Sequence, residues 1–221
     1  MSELAGRPSL RHIIDRLKAV PSLEEVVVAT TTDPGDDPIR ECAEEAGVPS
    51  YSGSIQDVLG RTLGAAESVG AATIVQVTGD CPLVEPSVVQ EAVTVYRAER
   101  PDYVSTVLNG ETFPIGLDVE VFSIALLKEV DAATCDPYHR EHVSTFIYGQ
   151  PERYRLRKVE AEGTRRRPDL RLTLDTEDDL EVIRAVYEAL WPENPAFSID
   201  DAIEFLDRHP ELARRNQQVS T

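Results

Sequence analysis

Gln76-Val77-Thr78-Gly79-Asp80-Cys81-Pro82-Leu83 decides how this chain is read. It follows Ala72-Thr73-Ile74-Val75, an apolar run of strand length. A strand ending in a small-residue turn with one carboxylate is where an open α/β sheet presents chemistry, because ligands collect outside the carboxyl ends of its strands. Taken alone, Thr78-Gly79-Asp80 reads equally well as an ordinary turn, with Pro82 opening the next loop. A second carboxylate, Asp175 in Leu174-Asp175-Thr176, also stands at the end of an expected strand, Leu170 to Leu174. That repetition favours a functional reading of both aspartates.

Upstream, Leu10, Ile13, Ile14 and Leu17 recur at helical spacing behind Ser9, which is expected to cap a helix. Val26 to Ala29 reads as a buried strand. Asp36-Asp37-Pro38 opens a helix that Gly47 closes. Val48 to Tyr51 is a further strand, and Ser54 is expected to cap a helix carrying Val58, Leu59 and Leu63. After Asp80 a helix runs from about Pro86 to Glu99. Strand and helix alternate, which implies crossover units and a mainly parallel sheet flanked by helices.

Beyond residue 100 the rhythm changes. Asp102 to Val107 and Leu117 to Phe122 read as strands, and the second alternates polar and apolar, so that one face looks onto a cleft or solvent. Tyr138 to Tyr148 is expected to be one helix, and Tyr154 to Val159 a strand. Arg165-Arg166-Arg167-Pro168 reads as a solvated loop or, secondarily, as a phosphate contact. Thr176 caps a helix whose first turn, Glu177-Asp178-Asp179, favours the positive end of the helix dipole. A helix over Ser198 to Leu212 and a frayed end from Arg214 close the chain. The expected division is an α/β domain over 1–195 and a C-terminal helix and tail over 196–221.

The chain has 221 residues, enough for one sizeable core, and no apolar run of membrane-spanning length or visible signal peptide. Cys42, Cys81 and Cys135 form no CxxC pair, which points to a reducing cytoplasm without disulfides or a zinc site. Forty acidic residues against 22 basic ones give a net charge of −18, which argues against nucleic acid as a partner. Three of the basic residues are lysines (Lys18, Lys128, Lys158) and 19 are arginines. An acidic, lysine-poor surface fits a salt-rich cytoplasm, where ions screen self-repulsion.

Two aspartates at strand ends behind a Thr-Gly turn can hold a hard divalent cation such as magnesium, which takes one or two carboxylates and bridges substrate phosphates. Six blocks, in order, resemble the cytidylyltransferase family of acylneuraminate and spore-coat polysaccharide synthesis. They are Glu24 to Thr30, Gly53 to Arg61, Thr78 to Leu83, Gly116 to Phe122, Asp136 to Val143 and Leu174 to Leu180. The resemblance implies a Rossmann-like nucleotidyltransferase fold and transfer of CMP from CTP to an acidic sugar or related acceptor, with magnesium and release of pyrophosphate. By position it makes Asp80 and Asp175 the catalytic metal carboxylates and sets Arg61 near the nucleotide phosphates, with Gln76, Thr78 and Gly79 against the nucleotide. Glu141 and His142, with Asp118 and Glu120, fall on the acceptor side. Arg61 also reads as a partner of Asp57 one turn earlier, and His142 as a surface helix residue. The resemblance further implies a homodimer through the region after residue 110.

The chain departs from that family at its front. Members begin with an apolar strand and a Gly/Arg-rich loop, and Met1 to Pro8 resembles the segment directly after them. The expectation is that about 15 to 25 residues of strand and loop are missing, and that a central first strand is absent. Gln76 stands where relatives often carry arginine. Two readings follow: a cytidylyltransferase, or a catalytically impaired or non-catalytic remnant serving as a binding or partner subunit. A nucleotidyltransferase for another base is a third.

The charge balance predicts that the melting temperature rises from dilute buffer to molar potassium chloride. A fall on adding salt would refute the screening argument.

Overall fold

The computed structural model describes residues 2–217. Strands β1 (Glu3–Leu4) and β2 (Arg7–Pro8) make a tight antiparallel hairpin over Ala5-Gly6, both at positive φ. Helix α1 (Ser9–Lys18) follows at once. Ser9 is its first residue rather than its cap, and its N–H donates to the Ser2 carbonyl at 2.8 Å. Strand β3 (Val28–Thr31) leads into α2 (Asp37–Glu45) through a 3₁₀ turn, where the Asp36 carboxylate accepts from Thr30 and from Thr31. Strand β4 (Ser50–Gly53) pairs parallel with β3.

Helix α3 (Val58–Ser68) is capped by Asp57, whose carboxylate accepts from Gly60 N–H at 2.8 Å. The expected cap, Ser54, instead accepts from Gln56 in the preceding turn. Strand β5 (Thr73–Gln76), helix α4 (Pro86–Glu99) and strands β6 (Tyr103–Ser105) and β7 (Glu120–Ser123) come next, then α5 (Ile124–Ala133). The expected helix over 138–148 is two short ones, α6 (Pro137–Glu141) and α7 (Thr145–Tyr148). His142 leaves helical geometry, and its carbonyl accepts from the Thr145 hydroxyl at 2.7 Å. Polar side chains here compete with the helical ladder. Strand β8 (Leu156–Lys158) and helices α8 (Glu177–Leu190), α9 (Ile199–Arg208) and α10 (Pro210–Ala213) complete the order. Pro210 divides the last two, as a residue without an N–H must.

The α/β class stands, and the sheet is mixed. The order β5-β7-β6-β8 has two antiparallel pairings and one parallel, because β7 inserts between β5 and β6. β3 and β4 form a separate parallel pair. Leu170 to Leu174, expected as the last strand, makes a single parallel bridge, Ile115 to Arg171.

Strand alternation divides the core. Val104 and Val121 point to a large cluster with Val88, Val89, Leu117, Leu172, Ile183 and Val186. Tyr103 and Phe122 point to the other side, stack at 6.2 Å and join Leu59, Leu127 and Ile147. The basic run 165–167 is occupied by acids: Arg165 pairs with Asp200, and Arg167 with Asp169 and Asp207. The tail expected to fray is held as far as Asn216, which is 1% exposed. Residues 218–221 lie outside the described ones.

Gly116 marks a close backbone approach. Its φ is +98°, and a Cβ there would stand 2.8 Å from the Leu172 carbonyl carbon. Gly116→Ala is therefore expected to destabilise the protein by about 1–3 kcal/mol in chemical denaturation, through both the left-handed φ and the clash. Gly110→Ala has a positive φ but open space around it, and should lose less.

Candidate active site

After β5 the chain turns through Val77-Thr78-Gly79 and sets Asp80 beside the segment following Arg171. Leu174 N–H donates to the Asp80 carbonyl at 2.9 Å, and the Thr173 hydroxyl reaches the same oxygen at 3.4 Å. The backbone at Asp80 is thus joined to the residue before Asp175. The Thr78 hydroxyl donates to Oδ1 of Asp80 and the Cys81 thiol approaches it at 3.4 Å, while Oδ2 has no donor among the described residues. Asp175 accepts at Oδ2 from Arg171 Nη2 at 2.5 Å and from Thr173 Oγ1 at 3.2 Å, and its side chain is 44% exposed.

Asp118, on the approach to β7, lies close enough to Asp80 to feel its charge. Burial first, and then the charges of Asp80 and Glu120, push its carboxyl up to about 6. Its Oδ1 is buried with no hydrogen-bond partner among the described residues. Glu120, the first residue of β7, accepts from Tyr103 Oη at 2.6 Å and from Ser144 Oγ at 2.5 Å, and burial raises its pKa. The expected polar face of this strand therefore looks into the site.

Arg61, Gln76, Thr78 and Gly79 line one cavity of about 620 Å³ between β3 and β5. Arg61 donates to the Ser54 carbonyl at 2.7 Å and does not pair with Asp57. That carboxylate is taken by Arg140, which also reaches Asp131 at 2.7 Å. This ion triad ties α6 to the start of α3. Glu141 and His142 are exposed at the end of α6, and among the described residues neither side chain bonds to the carboxylates. His142 packs edge-on against Tyr138 at 4.7 Å.

Among the described residues no three or more His, Cys, Asp or Glu side chains are grouped to hold a metal ion. A closed protein cage is not what magnesium requires. Two carboxylates with free oxygens, Asp80 and Asp175, suit a hard cation that keeps water and substrate oxygens in its other positions. Asp118, with an unpartnered oxygen near Asp80, adds negative potential that a cation there would relieve.

Arg171 carries weight that its sequence context does not announce. It is 5% exposed and bridges Asp175 and the fully buried Asp179, and Asn216 donates to Asp179 Oδ1 at 2.8 Å and to the Arg171 carbonyl at 3.0 Å. An arginine alternating with Leu170 and Leu172 was the available signal, since an inward charge must find acids. Tyr103 and Ser144, the partners of Glu120, carried no such signal.

The mixed α/β layering places Asp80 in the turn after β5 and Asp175 just ahead of α8, an arrangement compatible with an α/β nucleotidyltransferase. The cytidylyltransferase profile matches residues 1–201, and the chain belongs to that family. It is 31% identical over 219 residues to an uncharacterized protein of Methanocaldococcus jannaschii, covering 98% of this chain and 87% of that one. It is 30% identical over 195 residues to the spore coat polysaccharide biosynthesis protein SpsF of Bacillus subtilis, covering 88% and 79%. A solved cytidylyltransferase from Leptospira borgpetersenii matches with a TM-score of 0.90 at 30% identity, covering 99% of this chain and 90% of that one.

The hydrogen-bonded Arg140 guanidinium holds the Asp57 carboxyl below its ordinary value of 3.8. A depressed carboxyl stabilises the fold above its unfolded pKa, and the gain is lost as pH falls through the folded value. Asp57→Asn keeps the helix cap and removes the pair. It should cost about 1.5–3 kcal/mol at pH 7, with the cost shrinking below pH 3.8 in urea titrations at several pH values.

Proposed function

We propose that this protein transfers CMP from CTP to an acidic sugar or related acceptor, releasing pyrophosphate, in surface polysaccharide or glycan synthesis. The observation that carries the reading is the Leu174 N–H to Asp80 carbonyl bond, which ties the turn bearing Asp80 to the residue before Asp175. Family membership supplies the cytidylyl donor, and the SpsF relative supports an acceptor used in polysaccharide synthesis. Asp80 and Asp175 would hold magnesium, which neutralises triphosphate charge.

The chain's own residues divide the remaining work. Arg61 meets phosphate oxygens at the rim of the cavity, beside the exposed turn Thr78-Gly79. Gln76, whose Oε1 is buried and unpartnered among the described residues, offers an acceptor to a nucleotide amino group. Asp118 accepts from an acceptor hydroxyl through its free Oδ1, and Tyr103 and Ser144 fix Glu120 beside it. Glu141 and His142 contact the acceptor from the rim. The enzyme works in the cytoplasm as a homodimer, with CTP and the sugar acid as its partners. In support, no helix among the described residues is long and apolar enough to cross a membrane. Exposed Tyr138 and Tyr148 lie in the expected pairing region.

The test measures pyrophosphate release from CTP and magnesium over a panel of sugar acids, with protein isolated from its own cells. Asp80→Asn and Asp175→Asn should each lower kcat/KM by about 100-fold or more. Magnesium should raise the melting temperature of the parent but not of the double variant. A magnesium shift without turnover on any acceptor would identify a binding subunit instead.

A further inference from the structure

Every side-chain donor to Asp175 converges on one of its oxygens. Arg171 Nη2 and the Thr173 hydroxyl both reach Oδ2, and Oδ1 has no donor among the described residues. Asp80 is held in the same way through Oδ1, with Oδ2 left open. A carboxylate anchored through one oxygen does not turn freely, and it presents the other to an approaching cation. Magnesium demands near-ideal octahedral geometry, so ligands whose orientation is fixed beforehand suit it best. Whatever fixes Asp175 is therefore part of the site.

That anchor does not end at Arg171. Asn216, 1% exposed, directs its amide N–H groups at two acceptors, the Arg171 carbonyl at 3.0 Å and Asp179 Oδ1 at 2.8 Å. It holds the arginine by its main chain and by its counter-ion together. Asp179 is fully buried, and its oxygens also accept from Arg171 Nε at 3.0 Å and from the N–H groups of Asp175 and Thr176 at 3.2 and 3.0 Å. These donors fill the lone-pair sites of a carboxylate. A buried ion needs them all, because each unfilled site costs solvation that burial has already removed. Loss of the Asn216 donor would open a gap at Oδ1 and free the Arg171–Asp179 pair to shift. The Asp175 backbone, bonded to the same carboxylate, would shift with it.

The segment after α9 brings Asn216 to this position. Ala213, at the end of α10, packs into the large core cluster. Arg215 pairs with Asp178 and Glu181 of α8, at 3.1 and 2.7 Å, and Gln217 donates to the Asp169 carbonyl at 3.2 Å. Exposed pairs of this kind contribute little by themselves. Together they grip α8 on one side and the approach to Arg171 on the other, and Asn216 lies between them. The family match ends at residue 201, so membership of the family does not supply this clasp. We infer that the segment 210–217 belongs to the cation site, with Asn216 a positioning residue that presets Asp175 through Arg171 and Asp179. The inference rests on the reading of Asp80 and Asp175 as the cation carboxylates.

The test is calorimetric titration of the whole chain with magnesium, with urea midpoints taken on the same samples. Asn216→Ala should weaken magnesium binding by about tenfold or more, as expected when a group that orients a metal ligand is removed. Asn216→Ser, whose hydroxyl can serve one of the two acceptors, should fall between that variant and the parent. Leu212→Ala removes packing from the same segment and leaves the hydrogen-bonded network alone. It should lower the urea midpoint without changing the magnesium dissociation constant. Parent affinity in the Asn216 variants overturns the inference and leaves the cation reading standing. An equal loss of affinity in Leu212→Ala also overturns it, since the segment's role would then be purely structural. A parent that binds no magnesium overturns both.

Discussion

The guanidinium of Arg171 is the charge around which the site is assembled. Buried between Asp175 and Asp179, it is neutralised on both sides, and Asn216 completes the hydrogen bonding of Asp179. A buried charge of this kind is costly when unpaired, so removing one partner does more harm than the pair's net contribution suggests. Several elements are fixed by this one group. Asp179 also accepts from the N–H groups of Asp175 and Thr176, which closes the capping box of α8 and sets the backbone that carries Asp175. The next bond in the series, Leu174 to Asp80, passes that placement to the β5 side.

The electrostatics of the site follow from this arrangement. Asp80 and Glu120 lie close enough to Asp118 for their charges to act on it, while Asp175 is paired with Arg171. Burial and its acidic neighbours raise the Asp118 carboxyl to about 6. Such a site favours a divalent cation and disfavours a bare triphosphate, so cation and nucleotide are expected to bind together rather than independently. Positive charge from the protein is sparse: among the described residues that line the cavity, Arg61 is the one at the Thr78-Gly79 rim.

Much of this was legible in the residue pattern, and the failures have physical causes. The turn at Thr78-Gly79-Asp80 was legible because it follows a true strand, whereas the segment before Asp175, expected as a strand, makes a single bridge because its pairing is decided by tertiary contacts. Apolar periodicity also located α1, α3, α4 and α8 closely. Mixed sheet order was not legible, since whether β7 slips between β5 and β6 depends on tertiary pairing and not on the period of either strand. The break at His142 escaped because Val143, Phe146 and Ile147 keep a helical spacing across it, while Ser144 is drawn to Glu120 instead. Asn216 escaped because its partners, Arg171 and Asp179, are distant in sequence, so a polar tail and a packed one look alike.

Cysteine placement has a practical consequence. Cys42 and Cys81 are buried, and burial raises both thiols; for Cys81 the neighbouring Asp80 charge raises it further. A thiol of that kind is a poor nucleophile. Cys135 is exposed, between the end of α5 and Asp136, which caps α6. The folded chain therefore offers a single addressable sulfur. A fluorophore or spin label placed there would sit on the short connection before Glu141 and His142, and would report whether that rim moves when an acceptor arrives.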